Sequence, residues 1–131
     1  MIPKFRAWYK KNTLPMLCVS LISFDQKFID AYIDKEFKAE TEMSFDLDDV
    51  ILMQSTGLFD VNGKEVFEGD VVKLRYTISS DYEFFKVTRF RGGSWRIDNR
   101  RRGCELWLRN EDCEIIGNIY ENPELMEATN D

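Results

Sequence analysis

The sequence predicts a mainly β protein of the α+β type, with strands and a helix in its N-terminal part and a small barrel in its C-terminal part. Apolar segments have the length of strands and are rich in β-branched and aromatic residues. Glycines recur among turn residues in the middle of the chain. The 131 residues suit one compact domain or two small lobes, and we expect the boundary to lie between residues 1–55 and residues 56–131.

The N-terminal part begins with two predicted strands. Phe5–Tyr9 alternates large and polar residues, and a turn follows around Asn12, a residue type that tolerates the left-handed backbone conformation. Residues 16–24 form a near-continuous apolar run, which is typical of a buried strand. A further apolar run at residues 50–53 predicts another strand.

Residues 25–40 fit two different structures. Their apolar residues fall near one face of a helix, with charged residues between them. A turn at residues 25–27 could equally lead into a strand over residues 28–33. The periodicity slightly favours the helix, and both alternatives stay open.

The central segment contains the clearest turn signals. The pair Asn62 and Gly63 is a strong hairpin signal, because a tight type I′ turn needs positive φ at both of its central positions. The side chain of Asp60 can accept backbone hydrogen bonds inside that turn. Gly69 and Asp70 predict a second sharp turn into the next strand.

Five short strands with turns between them are predicted in the rest of the chain. This number and spacing are typical of an SH3-like barrel. Asn122 and Pro123 then indicate a short terminal helical turn, since Asn caps helices and Pro is favoured at the first helical position. The predicted strands occupy residues 71–77, 83–90, 94–97, 104–108 and 114–120.

The composition excludes several kinds of catalytic site. The chain has no histidine, so it cannot form a Ser-His-Asp or Cys-His arrangement or an imidazole metal site. Its three cysteines, Cys18, Cys104 and Cys113, form no C-x-x-C pair, and we interpret them as small buried hydrophobic residues.

The acidic residues and glycines do not form a recognisable active site either. A calcium loop starting at Asp46 would place Val50 where an oxygen ligand is needed. A phosphate-binding loop would need Ser or Thr after Lys64, where Glu65 stands. Acid pairs in turns have no apolar pocket that would raise a carboxyl pKa, so we predict no enzyme, no metal and no cofactor.

Charge runs along the chain in blocks. Residues 1–19 carry four bases and no acid, and residues 20–70 carry 13 acids and four bases. Residues 71–110 carry ten bases and four acids, and residues 111–131 carry seven acids and no base. Such blocks could neutralise one another within one fold or between subunits, or they could be separate solvated faces.

A basic and aromatic patch at residues 86–102 is the main candidate binding site. Arginine binds phosphate with a planar fork, and an exposed tryptophan could stack on a base. The alternative is that Trp95 faces the core while the arginines pair with the acidic blocks 20–70 or 111–131. The candidate residues are Arg89, Arg91, Trp95, Arg96, Arg100, Arg101 and Arg102.

Three parts of the chain resemble the YopX family: the opening residues 4–8, the central segment 53–72 and the closing segment 116–125. They occur in the family's order and bracket nearly the whole chain. Tyr9 and Phe67 depart from the residue types usual in the family. The turn residues that carry the resemblance are Gln54, Thr56, Gly57, Asp60, Asn62, Gly63, Gly69 and Asp70.

The resemblance implies a fold but no chemistry. YopX-like proteins resemble products of bacteriophages and prophages that act in the host bacterial cytoplasm, and the family has no established activity. The implied fold has an N-terminal α+β part and an SH3-like C-terminal part, and it favours a strand within residues 25–40. No catalytic residue can be carried over.

Together, these observations lead us to expect a phage or prophage accessory protein without catalytic activity that acts through protein contacts. The charge blocks and the 14% aromatic content favour a homo-oligomer. A phage or host protein is a further candidate partner, and nucleic acid bound at residues 86–102 is the alternative. No apolar run approaches the ~20 residues of a membrane span.

Overall fold

A computed structural model describes residues 4–33 and 36–128 of the chain, and these residues form eleven strands and three short α-helices. The strands make two antiparallel arrangements, one of six strands and one of five. The prediction of a mainly β protein is confirmed. The chain divides into two compact units, Met1–Gln54 and Ser55–Asp131.

The first unit is a sheet with β1 near its centre. Ala7 of this strand pairs with Leu17 on one side and with Leu52 on the other. Within this unit the strand order is β4-β3-β2-β1-β5. The elements are β1 (Phe5–Tyr9), β2 (Leu17–Ser23), β3 (Phe28–Tyr32), α1 (Lys38–Thr41), β4 (Met43–Asp46) and the first half of β5 (Val50–Phe59).

The turn after β1 has the conformation that the sequence predicts. Asn12 has a φ of 58°, in the left-handed region. Its side-chain oxygen accepts a 2.8 Å hydrogen bond from the indole nitrogen of Trp8. The prediction of a strand over Phe5–Tyr9 followed by a turn at Asn12 is confirmed.

Residues 25–40 contain the second strand of a hairpin, which settles the alternative that the sequence left open. β3 pairs with β2, with Ile22 opposite Ile29, and Lys27 closes the turn with a φ of 59°. Helix is limited to the four residues of α1. The strand is favoured because Ile29 and Ala31, two residues apart, are both buried in the core. Residues 34–35 lie outside the described residues.

The interpretation of β2 as a buried strand is wrong. Leu17 is buried, but Leu21 is 47% exposed and Cys18 is also exposed. Only one face of the sheet packs on the core, so successive residues of the apolar run point alternately inward and outward. A register irregularity between Val19 and Leu21 shifts this alternation.

The second unit contains a five-stranded sheet with the order β10-β9-β8-β7-β11. Its outer strands β10 and β11 are not paired with each other, and no closed barrel is found in the described part of the chain, so the SH3-like barrel is not confirmed. The elements are the second half of β5, β6 (Glu65–Phe67), β7 (Asp70–Arg75), β8 (Tyr82–Arg89), β9 (Trp95–Asp98), β10 (Gly103–Glu105), α2 (Leu106–Arg109), β11 (Glu114–Asn118) and α3 (Glu124–Ala128).

The strand predicted over residues 104–108 is confirmed for residues 104–105 and wrong for residues 106–108. β10 ends at Glu105, whose extended backbone precedes the first turn of α2. Leu106 is completely buried, whereas Trp107 and Leu108 are exposed. A helical turn lets Leu106 join the core within a short connection to β11, and local residue preference does not reveal this tertiary requirement.

The core of the second unit lies between the sheet and the segments that cover one of its faces. Eight buried residues form it, and Leu58, Tyr76, Trp95, Cys104 and Ile115 pack against them. Burial of this apolar surface is the main stabilising contribution in the unit. The buried residues are Val66, Val72, Leu74, Phe85, Val87, Ile97, Leu106 and Cys113.

The predicted terminal helical turn is confirmed as α3, which lies against β8. Its approach to β11 depends on Gly117. A Cβ atom at this position would meet the side-chain oxygen of Asn122 and would lie 2.8 Å from Leu125 Cδ1. The same Asn122 oxygen accepts a hydrogen bond from the backbone N–H of Asn118. A glycine therefore allows the C-terminal segment to pack directly on the strand.

We expect Gly117→Ala to lower the free energy of unfolding by about 1–2 kcal/mol, because the methyl group must displace the Asn122 and Leu125 side chains. Gly92→Ala is the control, since no atom lies within 4 Å of a Cβ there and its φ is ordinary. Chemical denaturation of both variants measures the difference. Equal stability of the two variants would show that the close approach at Gly117 is not required.

Candidate functional site

Asp60 is a buried carboxylate that joins the β5–β6 hairpin to β11. Its Oδ1 accepts hydrogen bonds from the backbone N–H groups of Asn62 and Lys64, each at 2.9 Å. Its Oδ2 accepts a third, at 2.9 Å, from the N–H of Ile115. The side chain is only 5% exposed. The prediction that Asp60 accepts hydrogen bonds within the turn is confirmed, and the bond to Ile115 adds a long-range connection that the sequence did not reveal.

Two other buried polar side chains have the same kind of role in the second unit. The Oδ2 of Asp70 accepts a 2.7 Å bond from the N–H of Phe67. The Oδ1 of Asn118 accepts bonds from the N–H groups of Tyr120 at 3.0 Å and Glu121 at 2.8 Å. Each side chain satisfies backbone groups that a turn leaves without a strand partner.

The hairpin turn at residues 60–64 is present, but the predicted type I′ turn is wrong, because Gly63 has a positive φ and Asn62 does not. Gly63 has a φ of 78° and donates its N–H to the carbonyl of Asp60. Gly69 donates its N–H to the carbonyl of Val87 and accepts a bond from the N–H of Ile119, both at 2.9 Å. Gly69 therefore connects the turn before β7 to the end of β11.

The remaining residues of the central segment lie in β5. Gln54 pairs with Phe5 of β1, and Gly57 lies at the irregular part of the β5–β6 pairing. Thr56 donates its hydroxyl to the carbonyl of Val66 at 2.7 Å. These contacts all hold one segment of the chain against another.

β9 separates the predicted basic patch into two hairpin tips. Arg91 lies in the turn between β8 and β9, and Arg100 lies in the turn between β9 and β10. β9 has four residues, so the two turns are separated by roughly 13 Å along the strand. The seven candidate residues therefore do not form one surface.

Each of the two aromatic residues at the first tip, Phe90 and Trp95, lies beside an arginine. Trp95 is partly buried and packs against the core of the second unit, as the alternative interpretation expected. The guanidinium of Arg89 lies 5.7 Å from the centre of the Trp95 ring, and that of Arg96 lies 5.8 Å from the centre of the Phe90 ring. The Trp95 ring is therefore covered in part by the core and by Arg89.

The second tip is an ordered turn that presents three consecutive arginines. The Oδ1 of Asn99 accepts bonds from the N–H groups of Arg101 at 2.8 Å and Arg102 at 3.0 Å. The guanidinium of Arg102 lies 3.5 Å from the carboxylate of Glu83, and that of Arg101 lies 4.0 Å from it. The side chain of Arg101 is nevertheless 67% exposed.

Arg96 pairs with acids of its own segment rather than with the acidic blocks at residues 20–70 or 111–131. It lies 3.1 Å from Asp98 and 3.8 Å from Glu105. The hydrogen bond to Asp98 raises the pKa of Arg96 above its ordinary value. Asp98 lies on the same strand as Arg96, and Glu105 lies opposite Arg96 on the neighbouring strand β10.

An exposed apolar patch that the sequence did not predict lies in the second unit. The side-chain amide of Asn110 donates a 2.7 Å bond to the carbonyl of Phe59, and the N–H of Val61 donates a 2.8 Å bond to the carbonyl of Cys113. These bonds place the end of β5 beside the segment that contains α2. We define the apolar patch as Phe59, Val61, Trp107 and Leu108, which are 50–63% exposed.

In the described part of the chain, no three Cys, Asp or Glu side chains are arranged to hold a metal ion. Nor does any helix there have the length and apolar character needed to cross a membrane. The cysteines differ in their surroundings: Cys113 is buried, Cys104 is partly buried and Cys18 is exposed. The interpretation of Cys18 as a buried residue is wrong, because it lies on the outer face of β2.

Comparison with known proteins gives one family and several similar solved structures. The family model described as YopX protein matches residues 4–127. Protein EF1440 from Enterococcus faecalis, whose crystal structure is known, is 28% identical in sequence to this chain. The two structures align with a TM-score of 0.64, and the alignment covers 96% of this chain and 99% of that one. The crystal structure of protein yopX from Bacillus subtilis is 19% identical, with a TM-score of 0.60 and coverage of 93% and 96%. No curated protein matches the chain.

We expect Asp60→Ala to destabilise the protein by about 3 kcal/mol, because it leaves three backbone N–H groups without their acceptor. Asp81→Ala removes an exposed carboxylate of the same unit and should change stability by less than about 0.5 kcal/mol. Thermal and urea unfolding measure both variants. If Asp60→Ala lost no more unfolding free energy than Asp81→Ala, the proposed structural role of Asp60 would be contradicted.

The cysteines should react with iodoacetamide in the order of their exposure. Burial raises the pKa of Cys113 to about 12, so at pH 9 only about one molecule in a thousand has the reactive thiolate there. Cys18 is exposed and should be alkylated first. Peptide mass spectrometry measures the order, with protein unfolded in urea as the control in which all three react. Early alkylation of Cys113 in the folded protein would contradict its burial.

Proposed function

Since the chain belongs to the YopX family, for which no activity is established, we propose that it is a non-catalytic accessory protein that acts through protein contacts and binds a second copy of itself. The observation that carries this proposal is the apolar patch. A patch of four large apolar side chains, each at least half exposed, is a common feature of surfaces that bind another protein.

The backbone on both sides of the patch is fixed. Phe59 and Val61 flank Asp60, whose carboxylate holds the hairpin turn and β11 together. Trp107 follows Leu106, which is completely buried. A patch built on fixed backbone loses little conformational entropy on binding, which favours association.

A second copy is the occupant that the charges favour. The segment next to the patch carries three exposed acids, Glu111, Asp112 and Glu114. The same unit presents exposed arginines at its hairpin tips, among them Arg91 and Arg100. The acidic border of one copy could therefore meet the basic tips of another, and such complementarity guides and orients association.

The cellular setting is part of the proposal. The family resemblance supports a phage or prophage origin and action in the cytoplasm of the bacterial host. A phage or host protein that presents a matching apolar surface is the other partner that the patch could accept.

We expect the wild-type protein to form a dimer or a larger oligomer at tens of micromolar, and Trp107→Glu to be monomeric, because a charge in the buried centre of an interface has no partner. Sedimentation velocity and light scattering measure the mass. Ile78→Glu is the control, since Ile78 is 94% exposed and lies outside the patch.

A monomeric wild-type protein at these concentrations would remove the proposal of self-association. An oligomer that persists in Trp107→Glu would show that another surface carries the contact. Both substituted side chains are exposed, so we expect both variants to fold. Circular dichroism of each variant tests this and shows whether unfolding could cause a change in mass.

A further inference from the structure

We propose that one end of the five-stranded sheet binds duplex DNA, with arginines on the phosphates and an isoleucine as an apolar wedge. This inference goes beyond the self-association proposed above, and Arg100 is the one side chain that both proposals use. The structure reassigns the predicted basic patch: only its second tip, at residues 99–102, belongs to this surface. We define the basic end as the turn at residues 77–80 together with Arg75, Arg100, Arg101 and Arg102.

Hairpin connectivity brings the two turns of the basic end together. The β7–β8 turn and the β9–β10 turn lie at the same end of the sheet, because β8 and β9 are antiparallel neighbours. Direct contacts show their proximity: the side-chain amide of Asn99 donates to the carbonyl of Phe84 at 3.1 Å. The guanidinium of Arg102 lies 4.9 Å from the centre of the Tyr76 ring.

Ile78 projects from a turn whose polar groups are already paired. The hydroxyl of Ser80 accepts a 2.9 Å bond from the N–H of Thr77 and donates a 3.0 Å bond to the carbonyl of the same residue. Ile78 is 94% exposed. Holding an isoleucine in water at the tip of an ordered hairpin is unfavourable, so a ligand that buries this side chain would relieve that cost.

Arginines surround this tip. Arg75 and Arg101 are exposed, and Arg100 is exposed and makes no ion pair with any described residue. Four acids lie at or near this end: Asp81 is exposed, Asp98 pairs with Arg96, Asp112 pairs with Arg109, and Glu83 is largely buried beneath Arg101 and Arg102. The outer surface therefore presents mainly positive charge, which suits a phosphate backbone.

The aromatic rings of this end favour a duplex over a single strand. Tyr76 has Arg102 and Arg109 near its ring and lies near Phe85, with ring centres 6.2 Å apart. The ring of Tyr82 has Lys73 at 4.8 Å and Arg75 at 4.6 Å from its centre. Single-strand binding relies on rings on which bases can stack. Tyr82 is 55% exposed, but a base would compete with Lys73 and Arg75 for its ring.

An apolar side chain between flanking arginines is the arrangement by which several protein families distort a duplex. Such a wedge enters between base pairs from the minor groove, while the basic residues contact the adjacent phosphates. At the basic end, Ile78 would be the wedge, and Arg75, Arg100 and Arg101 would contact phosphates. This surface would recognise the shape and charge of DNA rather than its sequence.

Fluorescence anisotropy with the full chain and a labelled duplex of about 20 base pairs tests the proposal. With three arginines on phosphates, we expect the affinity to fall by about 40-fold between 50 and 200 mM salt. Arg100→Ala should weaken binding about tenfold at 50 mM salt and reduce the salt dependence by about one phosphate contact. Arg91→Ala is the matched control, because Arg91 is also exposed without an ion pair to a described residue but lies at the other tip, and it should have no effect.

Ile78→Ser tests the wedge separately. It should weaken duplex binding about tenfold and leave the salt dependence unchanged, because it removes apolar burial and no charge. No duplex binding at 50 mM salt, or an equal loss in Arg91→Ala and Arg100→Ala, would overturn the proposal. So would tighter binding of the single strand, or binding to vesicles of anionic lipid without binding to DNA.

Discussion

The carboxylate of Asp60 is the interaction on which the second unit most depends. It accepts hydrogen bonds from two N–H groups of its own hairpin and from Ile115, which lies 55 positions further along the chain. A buried ionised group is costly unless it is fully hydrogen-bonded, and three backbone donors provide that compensation. The same residue lies between Phe59 and Val61, so it also orders the hairpin turn next to half of the apolar patch. Stability and the proposed contact surface therefore share one side chain.

Local features of the sequence predicted the fold best where the structure depends on neighbouring residues. The turns at Asn12 and Gly63 follow from residue types that accept a positive φ, whereas Asn62 does not adopt one. The prediction of a strand over residues 104–108 is wrong after Glu105, because the burial of Leu106 requires a helical turn that only the tertiary structure reveals. The SH3-like barrel stays a prediction, since strand number alone does not determine whether a sheet closes.

The candidate sites could be predicted only in part, because closeness in sequence does not mean closeness in a sheet. Arg91 and Arg100 are nine positions apart, yet a strand runs between them and directs them to different tips. Tyr76 and Arg102, in contrast, meet across two strands. The apolar patch could not be predicted, because Phe59 and Trp107 carry no signal in the sequence that distinguishes them from core residues. Long-range hydrogen bonds of Asn110 and Val61 bring their segments together in the fold.

The net charge of −6 does not decide whether the basic end can bind a phosphate backbone. At physiological salt, interactions between exposed charges fade over about 8–10 Å, so the local arrangement of charges decides. Arg101 and Arg102 already neutralise Glu83, the one largely buried acid beside them. This pairing removes little positive charge from the outer surface, because Glu83 lies beneath the guanidinium groups while Arg101 stays exposed to solvent. An acidic protein can therefore present a positive surface when its acids lie beneath or beyond the arginines rather than among them.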